Sequence, residues 1–323
     1  MNDIFHIKTE EDFRRHCLKT FRYQYEQVNI YRKFTDYLKI KPDEIHTMER
    51  IPFLPIEIFK NHILLDRSFT PGHYFQSSGT TQTLRSKHYI ADFELYEESI
   101  YRSFSQFIGA PEDFIFLGLL PNYSENQHSS LIYMVDFLMK TSGKPENGYF
   151  LYNHTELLAV LETLKKQQKK VILFGVSFAL LDFLEVVSGF SFPELTVIET
   201  GGMKGRKEEI TKDELLSILK NGFGTERIFS EYSMTELLSQ AYSLEHNEYK
   251  TPAWMKILIR DREDPLRFLP EGRTGAVNII DLANRHSCSF IATQDLGKST
   301  GDTFQILGRM DHSDIRGCSL LVT

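Results

Sequence analysis

Apolar positions recur at three- and four-residue steps between Glu10 and Leu38, through Phe13, Cys17, Phe21, Tyr25, Val28 and Tyr31. That spacing predicts one amphipathic helix or two in series, and Thr9 with Asp12 makes a capping-box-like start. Ile51-Pro52-Phe53-Leu54-Pro55 then reads as extended chain, because each proline biases its predecessor away from the helical region. Beyond it, short apolar runs alternate with helical patterns. Phe114 to Leu120, Val171 to Phe174 and Leu195 to Ile198 are strand-like runs of the kind buried in parallel sheets. Helices are predicted from about Gln127 to Lys140, from Asn153 to the lysine cluster, from Phe178 to Val187, and from Thr211 to Lys220. Thr211 with Glu214 forms a second capping box. After about Tyr242 the pattern turns strand-rich, with Met255 to Ile259, Ala276 to Ile280, Ser289 to Ala292 and Phe304 to Leu307. The expected architecture is therefore α/β in three stretches: a helical segment over 1–50, an α/β core over 51–242, and a β-rich closing subdomain over 243–323.

Composition narrows the class. The 323 residues are 41% hydrophobic and 25% charged, an ordinary globular balance. The 37 basic and 44 acidic residues leave a net charge of −7. The densest basic cluster, Lys165 to Lys170, reads as a solvated helix end, so no nucleic-acid partner is expected. The apolar run Val171 to Leu181 is too short to span a membrane, and the acidic N-terminus does not suit a secretory signal. Three scattered cysteines, Cys17, Cys288 and Cys318, make neither a disulfide framework nor a zinc knuckle. A cytoplasmic location follows as an expectation.

Four segments could carry chemistry. Gln76 to Lys87 packs Ser77, Ser78, Thr80, Thr81, Thr83 and Ser86 around Gly79, with Arg85 and Lys87 at its end. A phosphate cradle needs a permissive glycine, hydroxyl donors and nearby cations, although a plain Ser/Thr turn uses the same residues. Ala292 to Ser299 fits a relaxed Walker A expression. Asp295 would place a carboxylate inside the cradle, and too little chain follows for that fold, so the match is rejected. His62 and Asp66 have the spacing of some acyltransferase dyads, but such a pair occurs easily by chance and a surface-loop histidine explains His62 better. Glu231 to Glu236 follows the strand Arg227 to Phe229, and Gly201-Gly202 follows the strand ending near Ile198. Both sit where α/β sheets bind ligands, while acidic residues also belong at helix N-termini.

Ser77 to Lys87, Gly201-Gly202, Tyr232 to Glu236, Thr293 to Gly297, and Gly308-Arg309-Met310-Asp311 through Arg316-Gly317 occur in the order found in adenylate-forming enzymes. The chain resembles that superfamily from about Ile51 onward. It is most similar to the acyl-protein synthetases, the fatty-acid-activating component of bacterial bioluminescence reductase complexes. Phe53-Leu54-Pro55-Ile56-Glu57-Ile58-Phe59-Lys60, Gly201-Gly202-Met203-Lys204-Gly205-Arg206, Ser230 to Gln240, and Arg316-Gly317-Cys318 carry that closer resemblance.

The resemblance implies an adenylate-forming catalytic region with a β-rich closing segment and without the small mobile C-terminal domain. It implies ATP and Mg²⁺ as cofactors and a carboxylic acid, most simply a long-chain fatty acid, as substrate. Ser77, Ser78, Gly79, Thr80 and Thr81 would hold phosphates, with Thr235 beside them. Gln82 and Leu84-Arg85 replace the family's usual glycine and Pro-Lys, which leaves Arg85 and Lys87 as alternative phosphate cations. Gly201 and Gly202 would flank adenine, Tyr232 would stack on it, and Glu236 would hold Mg²⁺. Asp295 would accept from the ribose hydroxyls, and Arg309 would reach ribose or phosphate. Cys318 matches the cysteine that these synthetases self-acylate, with a reductase or acyltransferase collecting the acyl group. Cys17 and Cys288 read as core. Alternative expectations are an acyl- or aryl-CoA ligase-like enzyme that uses coenzyme A or a carrier protein as acceptor, or a non-catalytic nucleotide-binding scaffold.

Overall fold

The computed structural model describes residues 3–78, 84–121, 124–187, 189–201 and 210–310. Gly79, Thr80, Thr81, Gly202 and Cys318 therefore lie outside the described residues. The elements run α1 (Glu10–Gln27), α2 (Asn29–Tyr37), β1 (Leu54–Pro55), α3 (Ile58–Asn61), β2 (Tyr74–Gln76) and β3 (Lys87–Tyr89). Then follow α4 (Phe93–Phe107), β4 (Ile115–Leu119), α5 (Ser130–Ser142), β5 (Gly148–Tyr149), α6 (His154–Lys166), β6 (Val171–Val176), α7 (Ser177–Val186) and β7 (Thr196–Thr200). The chain continues through α8 (Lys212–Phe223), β8 (Ile228–Tyr232), β9 (Ala241–Ser243) and β10 (Tyr249–Lys250). It closes with β11 (Met255–Arg260), β12 (Gly275–Asp281), β13 (Phe290–Thr300) and β14 (Thr303–Arg309).

These elements fall into two compact units that are not collinear with the sequence. Of the described residues, one unit takes those up to His73, His88–Ala91 and those from Ala253 to Met310; the other takes those within 74–87 and 92–252. The sequence reading divides the chain into consecutive stretches. Here the first helices instead join the closing strands, because their apolar face and one polar side chain are satisfied there.

In the first unit, Thr9 Oγ1 accepts the Asp12 N–H at 3.1 Å, the predicted cap. The chain breaks at Val28, whose backbone is extended (φ −104°, ψ 100°), so the amphipathic stretch is two helices. Phe13, Cys17 and Phe21 are buried along α1. Gln24, on the same face, donates to the Arg285 carbonyl at 2.9 Å and accepts the Ser289 N–H at 3.1 Å. Tyr31 donates to the Pro52 carbonyl at 2.7 Å and stacks on Phe290 at 6.2 Å between ring centroids. Strands β11, β12, β13 and β14 form an antiparallel run, and β1 pairs parallel to β13 with Leu54 opposite Ile291.

The Walker-like segment lies within β13, not in a phosphate loop. Its Gly297 has a packing reason: a Cβ there would stand 2.6 Å from the Gln305 backbone carbonyl of β14. Gly297→Ala must push two paired strands apart, and we expect it to destabilise the protein by about 1–3 kcal/mol, read from a denaturant midpoint shift at unchanged slope.

In the second unit, β4, β6, β7 and β8 are parallel in that order, β5 flanks β4, and β9 and β10 return antiparallel beside β8. Every residue of β4, β6 and β7 is buried, which is why β4 and β6 read as near-continuous apolar runs rather than alternating ones. From β4 the chain steps outward to β5, then returns through α6 to β6 on the opposite side of β4. This reversal makes a topological switch between β4 and β6, and ligands of open α/β sheets bind beyond the carboxyl ends of such strands. No described helix is long and apolar enough to cross a membrane.

Candidate active site

The carboxyl ends of β6, β7 and β8 gather polar groups that apolar strands would otherwise exclude. Strand register sets Thr200 opposite Glu231 and Glu199 opposite Ser230. Because side chains alternate across a strand, the two glutamates face opposite sides of the sheet. Glu199 is fully buried. Ser177, the first residue of α7, donates to its Oε2 at 2.8 Å, and Lys212 from the first turn of α8 pairs with its Oε1. Burial works against the Lys212 ammonium, but Glu199 and Tyr249 outweigh it and hold its pKa above the ordinary lysine value.

Glu231 is buried on the other face, where its Oε2 accepts from Thr200 Oγ1 at 2.5 Å. Its Oε1 has no hydrogen-bond partner among the described residues. Burial raises its carboxyl to about 7, against donors from Ser233 and Thr200, and the nearby Glu199 charge adds to the rise. Gly201 follows β7 with φ +74°, a left-handed conformation that glycine adopts without steric cost.

The sequence reading is corrected at this edge. Strand β8 runs to Tyr232, so Glu231 and Tyr232 stand on the strand and not on a loop after it. No helix follows; residues 233–240 are turns and irregular chain before β9. The helix N-terminus explanation for the acidic residues therefore fails. Tyr232 is half-buried, with its ring edge-on to Tyr249 at 5.9 Å, Thr235 is half-buried, and Glu236 is buried. Glu199 and Lys212 are partners that sequence reasoning missed. The available signal was a carboxylate, Glu199, directly after the apolar residues Val197 and Ile198 of a strand-like segment.

The serine-rich segment enters the same unit. Ser77 Oγ accepts the Ser86 N–H at 3.0 Å, and Ser77 N–H donates to the Ser86 carbonyl at 3.1 Å. Ser77 is half-buried and Ser78 exposed. The half-buried Lys87 holds its ammonium 4.8 Å from the centroid of Tyr74, and Tyr74 stacks on His128 at 4.4 Å. Arg85 is also half-buried.

In the other unit, Asp295 on β13 is buried and Arg309 ends β14; Arg309 Nε lies 3.3 Å from Asp295 Oδ1. His62 is exposed, and Asp66 turns elsewhere: it is buried against Tyr23, Ser68 and His286. The two make no dyad. Cys17 and Cys288 are buried, and burial pushes the Cys288 thiol up to about 12, as expected of core cysteines.

Among the described residues no three His, Cys, Asp or Glu side chains converge as a metal cage. Mg²⁺ does not need one. It is commonly held by one or two carboxylates, substrate phosphates and water, a donor set to which the buried Glu236 carboxylate, just after β8, would contribute.

The profile of the family "Acyl-protein synthetase, LuxE" matches residues 129–323, more than half of the chain. The chain belongs to the LuxE acyl-protein synthetase family. No curated protein matches it significantly. Among solved structures, it is similar to an open conformation of 2-hydroxyisobutyryl-CoA ligase in complex with 2-HIB-AMP and CoA. The TM-score is 0.70 at 14% identity, covering 94% of this chain and 70% of that one. ATP-bound MatB from Rhodopseudomonas palustris gives 0.57 at 15% identity, covering 73% and 47%. A luciferase-like enzyme from the nonluminescent Zophobas morio mealworm gives 0.55 at 13% identity, covering 75% and 58%. The fold of this family member is thus that of the adenylate-forming ligases.

Proposed function

We propose that this LuxE-family protein activates a long-chain fatty acid with ATP and then loads the acyl group onto its own Cys318. A carboxylate oxygen of the acid attacks the α-phosphorus of ATP; the new O–P bond forms as the bond to pyrophosphate breaks. The Cys318 thiolate next attacks the acyl carbon, a C–S bond forms, and AMP departs with the electron pair of the broken C–O bond. The family membership carries this reading, supported by the carboxylate-bearing edge at β6, β7 and β8.

In this reading Ser77, Ser78, Gly79, Thr80, Thr81 and Thr235 bind phosphate oxygens, and either Arg85 or Lys87 neutralises the charge that builds there. Gly201 and Gly202 flank adenine and Tyr232 stacks on it. Asp295 binds the ribose hydroxyls, which requires Arg309 to share its carboxylate. Glu236 holds Mg²⁺, which would screen the phosphate charge. A reductase or acyltransferase then takes the acyl group from Cys318.

The test is intact mass after incubation with ATP, Mg²⁺ and a panel of carboxylic acids. A hydroxylamine-sensitive gain matching one fatty acid is expected. It should vanish in Cys318→Ser while acid-dependent pyrophosphate exchange persists. Exchange without any mass gain in the wild-type protein would move the acceptor to coenzyme A or a carrier protein. Loss of both activities in the wild-type protein would leave a nucleotide-binding scaffold.

A further inference from the structure

The first unit contains a cavity of about 800 Å³, within the range of small-molecule sites. None of its lining residues is assigned a role in the reaction above. Its walls are largely apolar: Phe34, Leu38, Ile45, Phe53, Leu266 and Phe268. In one wall stands Arg260, which is only 7% exposed.

A buried guanidinium is costly unless its charge and its donors are met. Arg260 Nη1 donates to the Val277 carbonyl at 2.9 Å and to Asn278 Oδ1 at 2.7 Å, and Nη2 donates to the Thr293 carbonyl at 2.7 Å. All three acceptors are neutral. A guanidinium has five N–H donors, so two remain, the number a carboxylate takes in a bidentate pair. No carboxylate lies within ion-pair distance of Arg260 among the described residues. Burial lowers its pKa to about 10, with Glu57 opposing through space, so it remains a cation at neutral pH.

With Arg260 counted, the lining carries four cations (Lys39, Lys41, Arg50, Arg260) and four carboxylates (Glu44, Glu49, Glu57, Asp264), and each carboxylate is already engaged. Lys41 pairs with Glu44 at 2.9 Å, Arg14 with Glu49 at 3.3 Å, and Gln294 donates to Glu57. Asp264 accepts the Leu266 N–H at 3.1 Å. Lys39 and Arg50, also on the lining, have no carboxylate partner among the described residues.

We infer that this cavity is a binding site for a carboxylate-headed amphiphile, its head on the spare Arg260 donors and its chain against the phenylalanines. The site uses none of the residues assigned to nucleotide handling, and its occupancy needs no ATP. It therefore stands or falls apart from the reaction proposed above.

Calorimetric titration of the full chain with dodecanoate, without ATP, tests it. Saturable one-to-one binding is expected, at least tenfold weaker in Arg260→Gln. Dodecanol, which lacks the carboxylate, should bind wild type and Arg260→Gln alike. Leu266 is 66% exposed at the rim, so Leu266→Glu can repel the ligand without cost to folding; it too should weaken dodecanoate at least tenfold. No binding to wild type, or equal binding to wild type, Arg260→Gln and Leu266→Glu, would overturn the assignment.

Discussion

Exchanging Lys212 for Met should cost about 3–5 kcal/mol of unfolding free energy, the scale of an ion left buried without its partner. Glu199 is completely enclosed, and Lys212 is the cation paired with it. Without that ammonium, Ser177 Oγ, 2.8 Å from Oε2, is the remaining donor to the carboxylate among the described residues. One neutral hydroxyl cannot replace a charge in a low-dielectric setting. The double variant Glu199→Gln/Lys212→Met removes both charges and should recover most of the loss, because a neutral amide can still accept from Ser177. The cycle read by urea unfolding thus yields a coupling of several kcal/mol. Additive single effects would show that the pair contributes nothing beyond its separate side chains. Glu199 also lies two residues before Gly201, so the pair braces the end of β7 where the left-handed turn begins.

What was legible in the sequence was whatever depends on near neighbours. The run Val171 to Phe174 announced β6 because a parallel strand covered on both faces has no polar positions to interrupt it. The caps at Thr9 and Thr211 were legible because each pairs with a backbone N–H three residues on. The edge of β8 was located but misread. Strand pairing with β7 carries Glu231 into the sheet, and no local pattern reveals that a carboxylate will be tolerated there. Lys212 and Glu199 meet only because α8 folds back beside β7, so their partnership is a product of packing. The β13 segment imitated a phosphate loop because Gly297 is required by the nearness of the Gln305 carbonyl, a cause of glycine that spacing cannot distinguish from a cradle. The Arg260 cavity was invisible for the same reason: its wall is assembled from residues 34–57, 260–268, 292–294 and Met310.

Glu231→Gln should stabilise the protein increasingly as pH rises, reaching roughly 3 kcal/mol by about pH 8. Burial raises the folded carboxyl to about 7 from an ordinary 4.5, so the folded state binds this proton more tightly than the unfolded chain. Below the unfolded value Glu231 is neutral in both states and the contribution is fully present. Between the two values the unfolded chain releases the proton first, and stability is lost until the pH passes the folded value. Glutamine never titrates, retains an acceptor for Thr200 Oγ1, and removes this slope. Urea unfolding of both proteins from pH 4.5 to 8 checks the claim. The difference should be near zero at the acid end and open through pH 7; a constant offset would refute it. Because the Glu199 charge helps to raise this carboxyl, Glu199→Gln should shift the midpoint of the Glu231 slope to lower pH.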